Sequence, residues 1–264
     1  MNLAEWDAHT YDRVSVPQQA WGEKVLDRLL LVGTETVVDA GCGSGRLTAG
    51  LLQRLPGGYV IAIDRSRNML QQAADNLIPH FGDRVTFVQA DIQSLVLQSS
   101  VDAIFSTATF HWIQDHQRLF DHLFHALKPG GRLVAQCGGA GNIARLQERA
   151  ATLLDSPPYR GDSSGWTNPW EFALPEATEA RLEAAGFIDI QTSLEAAPTT
   201  FPHAAAYREF VQSVVLRAHL AAIPDDRTRL TFMDTIAAQA ESDDPPYTLD
   251  YWRLNLAATR PQST

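Results

Sequence analysis

Lysine is almost missing from this chain. Only Lys24 and Lys128 occur, and the other basic residues are arginines scattered without a cluster. Lys and Arg together number 21 against 31 Asp and Glu, for a formal net charge of −10. Nucleic-acid-binding surfaces are built from basic patches or stripes, so neither DNA nor RNA is an expected partner. Cysteine is as scarce: Cys42 and Cys137 are the only two, too few for a disulfide framework. They make no ligand set with His116, His122 or His125, so no metal is expected. No apolar run has the length that spans a bilayer. The opening Met1-Asn2-Leu3-Ala4-Glu5-Trp6 lacks the pattern of a signal peptide. The simplest expectation is a cytoplasmic protein with no membrane association, a monomer or weak homodimer, whose partner is a small molecule. Internal repeats and low-complexity tracts are absent too.

What the chain does have is a hydrophobic fraction of 45% over 264 residues, ample for a core. The apolar residues fall into short β-branched runs alternating with helical periodicity. Strands are expected at Thr36–Ala40, Tyr59–Asp64, Val85–Gln89, Val101–Ser106 and Arg132–Gln136, each of the first four followed by a helical pattern or an acid-bearing turn. That alternation calls for an α/β fold with a doubly wound parallel sheet. A helix opened by Pro17 and carrying Trp21, Val25 and Leu29 precedes the first strand. Lys128-Pro129-Gly130-Gly131 is expected as a turn before the fifth strand. Beyond it, 142–155 looks helical, 156–170 loop-like, Pro175 opens a helix stopped by Gly186, and 188–194 alternates as a sixth strand. Helical stretches near 203–220 and 225–241 follow. Tyr251–Ala258 is the last strand, with Trp252, Leu254, Leu256 and Ala258 on one face.

The stretch Val37-Val38-Asp39-Ala40-Gly41-Cys42-Gly43-Ser44-Gly45 organises the rest. A buried strand runs into glycines at alternate positions and then into a helix. Gly41, Gly43 and Gly45 remove Cβ atoms, so backbone N–H groups can approach a ligand closely. A dinucleotide fingerprint wants glycine at position 46, where close helix packing is needed. Arg46 stands there instead. Asp39 at the strand end favours an amine-bearing ligand over a pyrophosphate.

In a doubly wound sheet, ligands bind at the carboxyl ends of the strands. Asp64 ends the second strand, where a carboxylate can accept both hydroxyls of a ribose. Asp91 follows the third, positioned to accept from an adenine amino group with the Ile92 backbone beside it, while Arg65 and Met69 cover the ring faces. Thr107-Ala108-Thr109-Phe110-His111-Trp112 ends the fourth, beside the reacting centre. Each acid alone is equally a helix N-cap; the joint spacing is what points to a nucleoside.

The V-D-A-G-C-G-S-G run resembles motif I of the class I S-adenosylmethionine-dependent methyltransferases. The segment Thr107–Trp112, the pair Asp115-His116, the turn Leu127–Gly131 and the helical insertion from Phe201-Pro202-His203 are similar to the trans-aconitate methyltransferase-like branch. The resemblance implies a Rossmann-like, seven-stranded sheet with one antiparallel strand and helical cap insertions. It implies S-adenosylmethionine as cofactor, with Asp39 and Gly41 near the methionyl amine and Tyr11 and Gln19 closing over it. The chain then divides into an N-terminal lid and helix (1–35), a cofactor-binding core (36–137), and substrate-cap insertions (138–175 and 200–246).

The expected reaction is in-line methyl transfer to a small-molecule oxygen, a carboxylate above others. A hydroxyl acceptor would need a base, and His111 is the candidate, with a packing role beside Trp112 as its alternative. Trp6 and Tyr11 stand open between lid and sheet packing. Trp166, Trp170, Tyr207, Phe210, Tyr247 and Tyr251 are candidate pocket aromatics, and Arg160 and Arg208 candidate carboxylate partners. Two other functions fit the sequence: a nicotinamide-dependent Rossmann oxidoreductase, and a cofactor-binding protein without turnover.

Overall fold

The computed structural model describes residues 5–14, 16–93, 100–159 and 168–263. Two N-terminal helices, α1 (Ala8–Val14) and α2 (Val16–Leu26), precede the sheet. The core then runs β1 (Thr36–Ala40), α3 (Arg46–Arg54), β2 (Tyr59–Asp64), α4 (Arg67–Phe81), β3 (Val85–Gln89), β4 (Val101–Thr107), α5 (His116–Ala126) and β5 (Leu127–Gly138). After α6 (Ala144–Leu154), α7 (Pro175–Ala185) and β6 (Ile188–Ala196) comes a short strand, β7 (Thr199–Thr200). Helices α8 (Ala204–Phe210), α9 (Arg217–Ala222) and α10 (Asp226–Glu241) follow, then β8 (Thr248–Leu249), which pairs with β7, and β9 (Trp252–Thr259).

The main sheet has seven strands in the order β3-β2-β1-β4-β5-β9-β6. Only β9 is antiparallel to its neighbours, as the resemblance implies. Strand order reverses between β1 and β4, which opens a crevice at their carboxyl ends. The central strands β1, β4 and β5 are buried on both faces, which is why they read as continuous apolar runs, while the edge strands β3 and β6 are largely half-buried or exposed. Val37 packs with Leu26, Leu51 and Leu52 on one side, and Val38 with Leu119 and Leu123 on the other. Helices α6 and α8–α10 make a separate cap with its own core around Phe210, Phe232 and Ile236. Arg149 binds the buried Asp243 through two hydrogen bonds of 2.9 and 2.6 Å, tying α6 to the end of α10.

Three local differences from the sequence reading have simple causes. The Lys128–Gly131 turn lies inside β5, because pairing with β4 resumes across it: Val101 faces Leu127 and Ala103 faces Arg132. The stretch near 203–220 is broken by a π-helical turn at Val211–Val215, which periodicity at 3.6 residues cannot register. Trp252 is exposed, unlike Leu254 and Leu256, because its neighbour is the glycine run at 138–141, with Gly141 against the indole.

Candidate functional site

The crevice is a cleft of about 1180 Å³, open to solvent. One end is lined by Gly41, Gly43, Asp64, Arg65 and Met69. Asp91 and Ile92 continue that wall, and Thr107 and His111 lie on the β4 side. Ten of the thirteen expected site residues therefore meet in one cavity, Tyr11 included.

The glycines do different jobs. Gly41 has φ +85°, and a Cβ there would lie 2.1 Å from Thr109 Oγ1. Gly43, at φ +53°, has nothing within 4 Å of its Cβ position, so its turn is open towards the cleft. Gly45 is away from the cleft: a Cβ there would lie 2.8 Å from Leu77 Cδ1, so it lets α3 and α4 approach. Asp39 is also away from the cleft lining. It lies beneath the loop, accepting a 2.6 Å hydrogen bond from Thr48 Oγ1, and burial pushes its carboxyl up to about 7. Arg46 turns outward to pair with Asp12 at 3.3 Å and leaves the cleft clear.

Asp64 bridges the glycine loop and the N-terminus of α4. Its Oδ2 accepts from Gly43 N–H at 3.0 Å and its Oδ1 from Ser66 N–H at 2.8 Å. Burial raises its pKa, against the pull of those two N–H groups. Asp91 Oδ1 accepts from Gln93 N–H at 2.9 Å, an Asx turn that holds the carboxylate at the cleft. Both acids thus make cap-like local bonds and line the cavity as well.

The N-terminal segment folds over this end. Glu5 accepts from Ser66 Oγ, Arg67 N–H and Asn68 N–H at 3.1, 3.3 and 3.2 Å, capping α4. Arg217 lies 4.3 Å over the Trp6 ring. Trp6 meets Tyr11 and Trp112 edge-to-face at 5.4 and 5.8 Å. Both open aromatics therefore pack on cleft residues rather than on the bare sheet. Gln19 is exposed, hydrogen-bonded to Glu23 at 3.2 Å, and does not reach the cleft. Its neighbour Gln18 does, because one residue along a helix is a rotation of about 100°. Gln18 Oε1 is buried with no hydrogen-bond donor among the described residues.

The other end is built on the exit of β4. Ala108 adopts φ +53°, and its N–H donates to Gln136 O at 2.8 Å. Phe110–Trp112 form a 3₁₀ turn held from below, with Asp115 capping α5 and His116 Nε2–H donating to Phe110 O at 3.0 Å. This is the physical content of the Asp115-His116 pair. His111 is buried between Trp112 and Phe172, with ring centroids at 5.4 and 5.8 Å. Gly138 N–H points at its Nδ1 at 3.3 Å. A backbone N–H only donates, so Nδ1 carries the lone pair and Nε2 the proton. Burial holds the ring neutral, far below the usual histidine range.

Sequence reasoning missed Arg253, which is 3% exposed and lines the cleft beside Tyr251. An arginine in a strand covered on both faces was the available clue, since buried charges are rare. It also missed Asn142, and Val214 and Val215 of the π turn. Among the proposed aromatics, Trp170 and Tyr251 line the cleft, while Tyr207, Phe210 and Tyr247 pack in the cap. Arg208 pairs with Asp234. Arg160 and Trp166 lie outside the described residues. Among the described residues no cluster of three metal-ligand side chains forms and no helix is long and apolar enough to cross a membrane.

Residues 37–131 match the family described as methyltransferase domain. The trans-aconitate 2-methyltransferase of Deinococcus radiodurans is 30% identical over 86% of this chain and 87% of its own length. That of Azoarcus sp. strain BH72 is 31% identical over 85% of each. Among solved structures, Haemonchus contortus phosphoethanolamine N-methyltransferase 2, in complex with phosphomonomethylethanolamine and S-adenosylhomocysteine, aligns with TM-score 0.61 and 19% identity over 97% of this chain and 57% of its own. The [4+2]-cyclase SpnF aligns with TM-score 0.60 and 19% identity over 93% of this chain and 82% of its own. At that identity these two show the fold alone, and the cyclase shows that the fold carries more than one chemistry. Nothing in the comparisons supports a nicotinamide enzyme. On the two close sequence relatives, the chain belongs to the trans-aconitate 2-methyltransferase family of S-adenosylmethionine-dependent methyltransferases.

Proposed function

We propose that the acceptor is a small carboxylic acid, methylated on a carboxylate oxygen. The observation that carries this reading is the state of His111. Its basic nitrogen is taken by Gly138 N–H and its ring is held neutral by burial. Of the other titratable groups, Arg253 is a cation, and His116 faces Phe110 O and Arg181 and is not part of the cleft lining. Asp64 and Asp91 are engaged by backbone N–H groups. The cleft tyrosines Tyr11 and Tyr251 are kept protonated by burial, Tyr11 with its pKa pushed up to about 12. An alcohol or ammonium acceptor would have to lose a proton; a carboxylate has none to lose. The names of the two relatives agree with this choice.

The cofactor end fits S-adenosylmethionine. Asp64 has lone pairs left for ribose hydroxyls, Asp91 and Ile92 suit an adenine edge, and the open turn at Gly43 leaves room for close approach. The orphaned Gln18 Oε1 suits a cationic amine, the group that the resemblance set beside Asp39 and Gly41. Held by Asp64, Asp91 and Gln18, the cofactor would supply an activated sulfonium methyl for transfer to the carboxylate oxygen, with its neutral sulfide as the leaving group. No proton moves. His111 contributes a neutral Nε2–H donor that orients the acid, and the aromatic walls exclude water.

Incubation with methyl-labelled S-adenosylmethionine and trans-aconitate, beside alcohol and amine panels, tests this. The expected product is an ester whose label is released by mild alkali. Alkali-stable label, in an ether or a methylamine, would overturn the reading.

A further inference from the structure

We propose that Arg253 anchors a second carboxylate of the acceptor, one that is not methylated, and is the residue by which this chain distinguishes a polycarboxylic acid from a monocarboxylic one. This rests on the carboxylic-acid reading above.

Arg253 is buried at the cleft wall, yet among the described residues it makes no ion pair. Its one side-chain hydrogen bond among the described residues runs from Nε–H to Gln136 Oε1, a long 3.4 Å. The terminal nitrogens, with four N–H groups, have no partner among the described residues. Glu195 lies opposite it in the β6–β9 register but engages elsewhere: its Oε2 accepts from Asn255 Nδ2–H at 3.5 Å and lies 4.0 Å from Arg28. The guanidinium is nonetheless held. Trp21 lies 4.6 Å from it, and Gln136 is fixed in turn by donating to Asn255 Oδ1 at 2.6 Å. A desolvated, oriented and unpaired guanidinium fork matches a carboxylate from outside the chain.

The charge balance decides which carboxylate. Methylation turns the reacting anion into a neutral ester. A guanidinium gripping that anion would bind the ground state more tightly than the transition state and slow the reaction. A carboxylate elsewhere on the acid keeps its charge throughout, so Arg253 can bind it equally before and after. Arg253 therefore acts on KM and on orientation. The neutral His111 donor suits the oxygen pair whose charge disappears.

The test uses wild type, Arg253→Gln and Arg253→Lys with trans-aconitate and with crotonate, an alkenoate with one carboxylate. Binding of S-adenosylhomocysteine is measured by calorimetry in parallel. Wild type should favour trans-aconitate in kcat/KM by about 100-fold, the scale of a lost buried charge pair. Arg253→Gln should raise KM for trans-aconitate by about 100-fold and erase most of the preference, with S-adenosylhomocysteine affinity unchanged. Arg253→Lys should fall between, having charge but no fork. A preference that survives in Arg253→Gln overturns the proposal. So does a loss of S-adenosylhomocysteine affinity with the preference intact, which would give the guanidinium to the cofactor's own carboxylate. If Arg253→Gln shows no cooperative melt, Arg253→Lys decides: a preference cut by about tenfold supports the proposal, an intact one overturns it. If wild type methylates neither acid, the carboxylic-acid reading itself has failed, and this inference with it.

Discussion

Replacing Asp64 with asparagine separates the proposed ribose contact from the folding role of the same side chain. The carboxylate already accepts one N–H on each oxygen, from Gly43 and Ser66. Each oxygen keeps a lone pair for a hydroxyl. Asparagine has the same shape but one acceptor, and its amide N–H₂ would face one of the two backbone donors. That mismatch should lower stability by about 1–2 kcal/mol. Cofactor binding should suffer more, because two charge-assisted bonds to the diol, about 1.5–3 kcal/mol each, become at best one neutral bond. A net loss of about 2–4 kcal/mol corresponds to roughly 30- to 1000-fold in Kd. Titration calorimetry with S-adenosylhomocysteine measures this, with a ligand-free melt as the folding control. The pH dependence follows with its sign. Hydroxyl donors favour the ionised carboxylate, and burial has raised its pKa in the free protein. Affinity should therefore fall on acidification through that raised pKa, above the ordinary carboxylate range, and Asp64→Asn should show no such fall. An unaltered Kd in a variant with a normal melt would refute the ribose contact.

Gly41→Ala should destabilise the protein by about 2–4 kcal/mol in a denaturant titration, combining a left-handed backbone with overpacking on Thr109. Adding Thr109→Ala should recover the packing part only. Asp39 has a folded pKa of about 7 against about 4 unfolded. Between those values the unfolded chain sheds a proton that the fold retains, so stability falls as pH rises, levelling above 7. The full loss is up to about 4 kcal/mol, and Asp39→Asn, which imitates the protonated form, should flatten it in melts at about pH 4 and pH 8. With a carboxylate acceptor, kcat should be flat through the ordinary imidazole range near pH 6.5. His111→Phe should lower kcat about tenfold without altering that shape. An acid limb that disappears in the variant would restore His111 as a base.

The parallel core was legible because its central strands are buried on both faces and each strand ends at a turn with its own chemistry. The strands ending in Ala40, Asp64 and Gln89 have the bounds that their apolar runs announce. Site residues on strand ends were legible for the same reason, since backbone direction alone carries Asp64, Asp91 and Thr107 to one rim. What failed depends on side-chain direction or tertiary packing. Gln18 and Gln19 are indistinguishable until the helix has a fixed rotation against the loop. Gly45 looks like its partners but serves helix packing against Leu77. Arg253 was hidden because alternation in β9 drew attention to Leu254 and Leu256, the face opposite to it. The π turn at Val211–Val215, which brings Val214 and Val215 to the cleft, breaks the very period by which helices are found.

A crystal structure of the ternary complex with S-adenosylhomocysteine and trans-aconitate tests the central claim most directly. Both ribose hydroxyls should lie on Asp64, and the acid should lie between His111 Nε2 and Arg253, its unmethylated carboxylate on the guanidinium. A nucleoside turned away from Asp64, or an acid bound outside the His111–Arg253 end of the cleft, would contradict it.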